Sequence, residues 1–201
     1  MNLCRSATFS PKDFLGSSYM INRTDFRFSK DFWFSAFGHI ESEFQFSHVW
    51  NQAPFTMLIL PNANLSYTIQ EGSYSLLSPM EFVLDSYASW DITYFANGIL
   101  FNRIPGVKLL RIREVVSFKG FFGNLSDKNN PYLTNLNPDL WRFPGENVVH
   151  EMNPRRPYME LGVGLDNIFK ILRIEYVWRL TYREHKDVAK GGVRIALHFS
   201  F

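Results

Sequence analysis

The final eleven residues, Gly191 to Phe201 (GGVRIALHFSF), alternate apolar and polar positions without a break. Val193, Ile195, Leu197, Phe199 and Phe201 fall on one face, and Arg194, Ala196, His198 and Ser200 on the other. A period of two predicts a β-strand. A wholly apolar row opposite a polar one suits a membrane-spanning strand, which crosses with about 9–11 residues between lipid on one side and a wet lumen on the other. The same alternation also suits the last strand of a soluble β-sandwich or lipocalin-like barrel.

The preceding segment repeats the pattern. In Lys170 to Arg183 (KILRIEYVWRLTYR), Leu172, Ile174, Tyr176, Trp178, Leu180 and Tyr182 oppose Arg173, Glu175, Val177, Arg179, Thr181 and Arg183. Its aromatic residues gather at one end of the apolar row, where a membrane–water girdle would sit. Three arginines and a glutamate facing a soluble core would each need a partner; facing a wet lumen they do not. Further back, alternation predicts strands over Pro157–Ile168, Leu109–Phe122, Ser86–Ala96, His39–Trp50 and Arg23–Phe34, and a short one within Pro54–Ile69. Together they make about seven or eight antiparallel strands. Gly162 and Gly164 suggest crowding by bulky neighbours or a bend. Glu114 falls on the apolar side of its strand, as at a bulge or an interfacial position.

Connection lengths sort into two sets. With Phe201 at a periplasmic end, Asp166–Lys170 is a tight periplasmic turn and Asn97–Lys108 lies on the same side. The charged Glu184–Lys190, the Asn-, Asp- and Pro-rich Gly123–Arg156 and the long Gln52–Pro79 lie outside, as the longer loops of outer-membrane barrels do. The apolar FTMLIL run in Gln52–Pro79 leaves two options: the segment folds back into the lumen or caps it, or it is an ordinary loop with a few buried anchors.

Composition narrows the classes. Hydrophobic residues make up 46% of the 201-residue chain, so one domain or part of a larger one is expected. Mean hydropathy is −0.15, and no run approaches the ~20 apolar residues of a helical span; strands that alternate average to neutral hydropathy in any case. Aromatic content is high, with 20 Phe, 9 Tyr and 5 Trp. A net charge of +2 without a basic cluster gives no nucleic-acid signature. The lone Cys4 excludes an internal disulfide. No secretory signal peptide is visible, and an outer-membrane protein requires one, so the chain is expected to be the C-terminal part of something longer, or a mature fragment.

The segments EFVLDSYASWDITYFANGILFNRIPGVKLLRIREVVSFKGFFGNLSDKN, RPYMELGVGLDNIFKILRIEYVWRLTYRE and KGGVRIALHFSF resemble the C-terminal part of a Bacteroidota outer-membrane family, domain of unknown function 5686, whose members often carry a carboxypeptidase-regulatory-like domain near the N-terminus. The resemblance runs from about Arg23 onward. It implies an all-β antiparallel transmembrane barrel in the outer membrane of a Gram-negative cell, with no assigned reaction. The terminal row Val193, Ile195, Leu197, Phe199 and Phe201 resembles the β-signal by which the barrel-assembly machinery recognises its clients. Outer-membrane lipids, that machinery and the upstream half of the same barrel are the implied partners. Residues 1–22 match nothing in the family and are left unplaced; 23–201 form the barrel part. A fold-level similarity also links the five or so strands after a long outer loop to the end of the barrel-assembly insertases, although their Arg-Gly-aromatic loop motif is not found between Gln52 and Pro79.

The sequence points to little chemistry. His39, His48, His150, His185 and His198 form no HExxH or other metal-ligand spacing, and there is no GxSxG or P-loop. No metal, cofactor or catalytic residue is expected. His150-Glu151 and His185, in outer loops, would be the place for a loop-borne enzymatic site; solvated loop residues are the preferred reading of them. The polar-face row Arg111, Arg113, Lys119, Glu160, Arg173, Glu175, Arg179 and Arg194 is expected to face the lumen. There it would form an ion-paired network, hold a plug, or line an anion path.

Overall fold

Alternating sequences of this kind satisfy their backbone groups by pairing with neighbours on both sides, and here nearly all of them do so in sequence order. The computed structural model describes residues 2–10, 20–99, 101–103, 111–133, 135–144, 151–186 and 188–197. Among these, eight strands form one antiparallel sheet with the order of the chain: β1 (Asn2–Ser10), β2 (Ile21–Trp33), β3 (His39–Val49), β4 (Ser86–Phe95), β5 (Arg113–Asn124), β6 (Tyr158–Ile168), β7 (Leu172–Arg179) and β8 (Gly191–Leu197). The sheet does not close on itself: each strand pairs with its neighbours in sequence, and β1 and β8 are its edges.

Register carries the faces from strand to strand. On the outer face Phe26 opposes Phe46 and Phe28 opposes Phe44. The row continues through Phe44–Trp90, Ile92–Phe118, Phe118–Leu161, Leu161–Trp178, Tyr176–Val193 and Ile174–Ile195. Most of its large side chains, among them Phe44, Phe46, Val116, Val163, Trp178 and Ile195, are exposed. The inner face pairs Asp91 with Lys119, Lys119 with Glu160, Glu160 with Arg179 and Glu175 with Arg194. Crowding on that face accounts for the small residues of β6. A Cβ on Gly162 would lie 2.2 Å from the Ser117 hydroxyl, and one on Gly164 2.2 Å from the Ile174 carbonyl oxygen.

Antiparallel order places connections at two ends. Short ones, such as the 34–38 and 169–171 turns, lie at one end, flanked by exposed Trp33, Phe34, Phe37 and Phe169. The long connections after β3, β5 and β7 lie at the other, beside exposed Trp50, Phe122 and Trp178. Glu114 belongs to the first end. Its carboxylate accepts the backbone N–H groups of Ile99 (3.1 Å) and Phe101 (3.0 Å), which anchors the β4–β5 connection and explains an acid on the apolar side.

Several sequence expectations need correcting. Residues 2–10, left unplaced above, form β1, paired with β2 from Asn2↔Ser29 to Ser10↔Ile21. Pro54–Ile69 contains no strand; a single 3-10 turn (Phe55–Met57) and isolated bridges stand there instead. β5 begins at Arg113 rather than Leu109. Arg111 therefore leaves the polar row: it sits exposed in the preceding turn with φ 51°, where Asn167 bonds its carbonyl. β7 ends at Arg179, so Tyr182 leaves the apolar row as well; a φ of 53° turns it into the buried interior. Phe199 and Phe201, with His150 and His198, lie outside the described residues.

Candidate functional site

The connection between β3 and β4, residues 50–85, is too apolar to stay in water, and it lies on the inner face of the sheet. Leu58, Ile59, Leu77, Phe82, Val83 and Leu84 are buried there in one cluster with Val49, Tyr87, Phe121 and Tyr158 from the strands. Each such side chain contributes about 1.5–3 kcal/mol through burial. Of the FTMLIL run, Leu58 and Ile59 are buried in this cluster, and Phe55, Met57 and Leu60 pack against it. A short internal ladder, Ile59 N to Leu84 O (2.7 Å) and Leu84 N to Ile59 O (3.0 Å), satisfies its backbone, as burial away from water requires. Phe82, fully buried, meets Phe121, Tyr158 and Tyr182 edge-on.

Two carboxylates lock this loop reciprocally. The loop supplies Glu81, 1% exposed; β7 supplies Arg179, also 1% exposed. Their pairing is bidentate: Nη1 donates to Oε2 at 2.9 Å and Nη2 to Oε1. Arg179 also donates to the carbonyls of Leu76 (3.2 Å), Thr181 (3.0 Å) and Tyr182 (2.9 Å), and its guanidinium lies 4.8 Å from the centre of the Tyr158 ring. His185 Nδ1 is 2.9 Å from Glu81 Oε1. Burial by itself would raise the Glu81 carboxyl. The Arg179 hydrogen bonds and charge, with His185 and the Ser78 N–H, outweigh it and hold the group below its usual range. The wall returns the favour through Glu160 of β6, which accepts the loop's Ser75 and Leu76 N–H groups at 2.9 and 2.7 Å and the Tyr158 hydroxyl at 2.6 Å.

A third carboxylate ties the loop to the next long connection. Asp85 accepts the Ser126 N–H and the Asn129 side-chain amide, both at 3.0 Å, as well as the Ser126 hydroxyl. Asn129 in turn accepts the Ala53 N–H at 2.9 Å. The third long connection joins through Tyr182, whose hydroxyl donates to Arg156 O at 2.7 Å; burial raises its phenol above the usual range. Outermost, Arg156 pairs with exposed Glu184 and holds that carboxyl down at about 2. The three long connections thus form one hydrogen-bonded cap.

Of the remaining polar-row residues, Lys119 pairs with Asp91 at 2.7 Å and Arg173 with buried Glu175. Arg194 donates to the loop carbonyl of Ser75 and stands 5.9 Å from the centre of the Tyr67 ring. Arg113 sits exposed at the strand end. The row is therefore partly an ion-paired network and partly a seat for the loop. A cavity of about 210 Å³ beside it carries Asp31, Glu41, Glu43, Glu71 and Asp91 against Lys119 and Arg173. That excess of carboxylates has the wrong sign for an anion path. His185 is engaged by Glu81, His48 Nδ1 lies 2.9 Å from the Ser86 hydroxyl, and His39 stacks between Trp33 and Phe95. Among the described residues no cluster of three or more His, Cys, Asp or Glu has metal-binding geometry.

Sequence reasoning missed Glu81 and Asp85. Their signal was present: SPMEFVLD places two acids in an apolar run, and a carboxylate buried among Met80, Phe82, Val83 and Leu84 needs a cation or several N–H donors. Compared with known proteins, the chain matches no protein-family model, no curated protein and no solved structure.

Proposed function

We propose that this chain is the C-terminal part of an integral outer-membrane β-barrel of transport or assembly type, with part of its lumen filled by its own in-folded loop. One observation carries this proposal: the exposed face of the sheet is the apolar one, and the covered face is the charged one. A soluble lipocalin-like barrel needs the reverse. Eleven-residue β3, at about 3.4 Å per residue and an assumed tilt of about 40°, would rise about 25 Å, the height of an outer-membrane apolar band. Aromatic residues at both ends of the band match interfacial girdles, and long and short connections segregate as outer loops and periplasmic turns do.

Assembly type is favoured by position. The inward loop precedes the last five strands, β4–β8, the arrangement that suggested the insertase similarity. Glu81-Phe82 lies just past the Gln52–Pro79 stretch in which an Arg-Gly-aromatic motif was sought, and the wall provides the arginine. Membership of the domain 5686 family belongs to the same proposal and rests on the segments quoted above. So do the lipid-facing role of Val193, Ile195 and Leu197, recognition of the terminal row by the assembly machinery, and the upstream barrel half as partner. The role proposed is not enzymatic.

Fractionation of cells making the protein, followed by unboiled and boiled gel electrophoresis of the detergent extract, tests the proposal. Recovery in the outer membrane with a heat-dependent mobility shift supports it. Recovery as a freely soluble monomer without detergent would overturn it. Deleting Phe201 should impair assembly in cells more than folding in detergent.

A further inference from the structure

The edge of β8 is not bare. Ile195 donates its N–H to Tyr67 O (2.9 Å) and its carbonyl accepts the Ile69 N–H (2.8 Å), so that Thr68 bridges Ile195 as a one-residue parallel strand. Backbone groups alternate between the two edges of a strand. Val193 and Leu197 therefore share the outward set with Ile195, and among the described residues Val193 O accepts from the Arg194 side chain. The part of the loop that lies here is the shallow part. Leu65 and Tyr67 are about four-fifths exposed, whereas Phe82, farther along the same loop, is fully buried. Its shape is set locally: Asn64 holds the Ser66 N–H (2.9 Å) and the Thr68 carbonyl (2.6 Å).

We infer that Tyr67–Ile69 is a removable placeholder on β8, which leaves when an antiparallel, alternating barrel strand takes that edge. The inference rests on the barrel proposal. Its physical basis is twofold. An unpaired apolar edge strand invites wrong pairing and is commonly covered, while in hydrocarbon every backbone group of that edge must be satisfied. Three residues running parallel satisfy Ile195 alone; an antiparallel strand satisfies the whole row. The incoming strand is one beyond these eight. A closed eight-stranded barrel has an interior just wide enough for side chains, and here the inner face already carries residues 52–85. The deep anchors, Glu81 and Phe82 of the loop and Glu160 of β6 on Ser75 and Leu76, lie elsewhere, so release of 67–69 leaves them in place.

A Thr68→Cys/Ile195→Cys pair in a Cys4→Ser background tests this in cells, because bridge partners lie within disulfide range. The oxidised pair should block formation of the heat-modifiable outer-membrane species. Growth with reductant should restore it, and either single variant should assemble as the wild type does. Assembly of the locked protein at the wild-type level would overturn the inference, as would failure of the disulfide to form at any stage. Cross-linking of native Cys4 to Ala196→Cys in the assembled protein would make β1 the occupant and overturn it too. A wild-type chain that never reaches the outer membrane would refute the barrel proposal instead.

Discussion

The two faces of this sheet obey opposite rules. On the inner face charges are buried or half-buried and most have a designated partner: Arg179 with Glu81, Lys119 with Asp91, and Glu160 with two backbone N–H groups. On the outer face large apolar side chains are exposed and touch chiefly one another, as Trp90 does Phe118 and Phe122. In water that outer face would be an aggregation surface. In lipid it is the solvated face, and specificity has to come from the inner one. The inner face is thus expected to be intolerant of any single lost partner, and the outer face intolerant only of charge.

The largest effect is expected inside. Arg179→Ala strands the Glu81 carboxylate in a dry pocket and should cost about 3–5 kcal/mol in denaturant unfolding from detergent. Phe82→Ala should cost a similar ~3–5 kcal/mol through the cavity it leaves. Next comes the outer face: Ile174→Arg or Ile195→Arg should cost roughly 2–4 kcal/mol near the bilayer midplane, while Ile→Leu at either site is tolerated. Equal folding yields of Ile195→Arg and wild type in liposomes would remove that position from the lipid face. Smaller still is a pH effect. Because the folded-state Glu81 carboxyl lies below its ordinary value of 4.5, its stabilisation is complete above that value and is lost as pH falls through the lower, folded one. Protease nicking of the 50–85 loop should therefore rise on acidification below pH 4.5, and Glu81→Gln should lose that acid limb. Smallest of all, Tyr67→Ala should alter stability by no more than about 0.5 kcal/mol, since its side chain is largely exposed and, beyond the Arg194 guanidinium near its ring, its contacts are made by backbone.

The faces were legible in the sequence because alternation encodes them directly; the rows of β2 to β8 follow the spacing of Phe26, Phe44, Trp90, Phe118, Trp178 and Ile195. β1 was not legible. NLCRSATFS has only a weak apolar row, and its strand character comes from pairing with β2 rather than from its own pattern. Arg111 and Tyr182 were misplaced for a shared reason: each lies in an alternating run two or three residues outside its strand and itself has a positive φ, and periodicity carries no information on backbone sign. The loop's apolar content announced burial but not the partner. Glu81 and Arg179 are 98 residues apart, and only the β6–β7 register and the fold of the loop bring them together.

Labelling β3 one residue at a time most directly tests the central claim that the apolar face meets lipid. An environment-sensitive fluorophore would be placed in turn at positions 43, 44, 45 and 46 of the protein reconstituted in vesicles containing brominated lipid. Strong quenching at 44 and 46 with little at 43 and 45 is the expected result. Equal quenching at all four, or quenching at 43 and 45 alone, would contradict it.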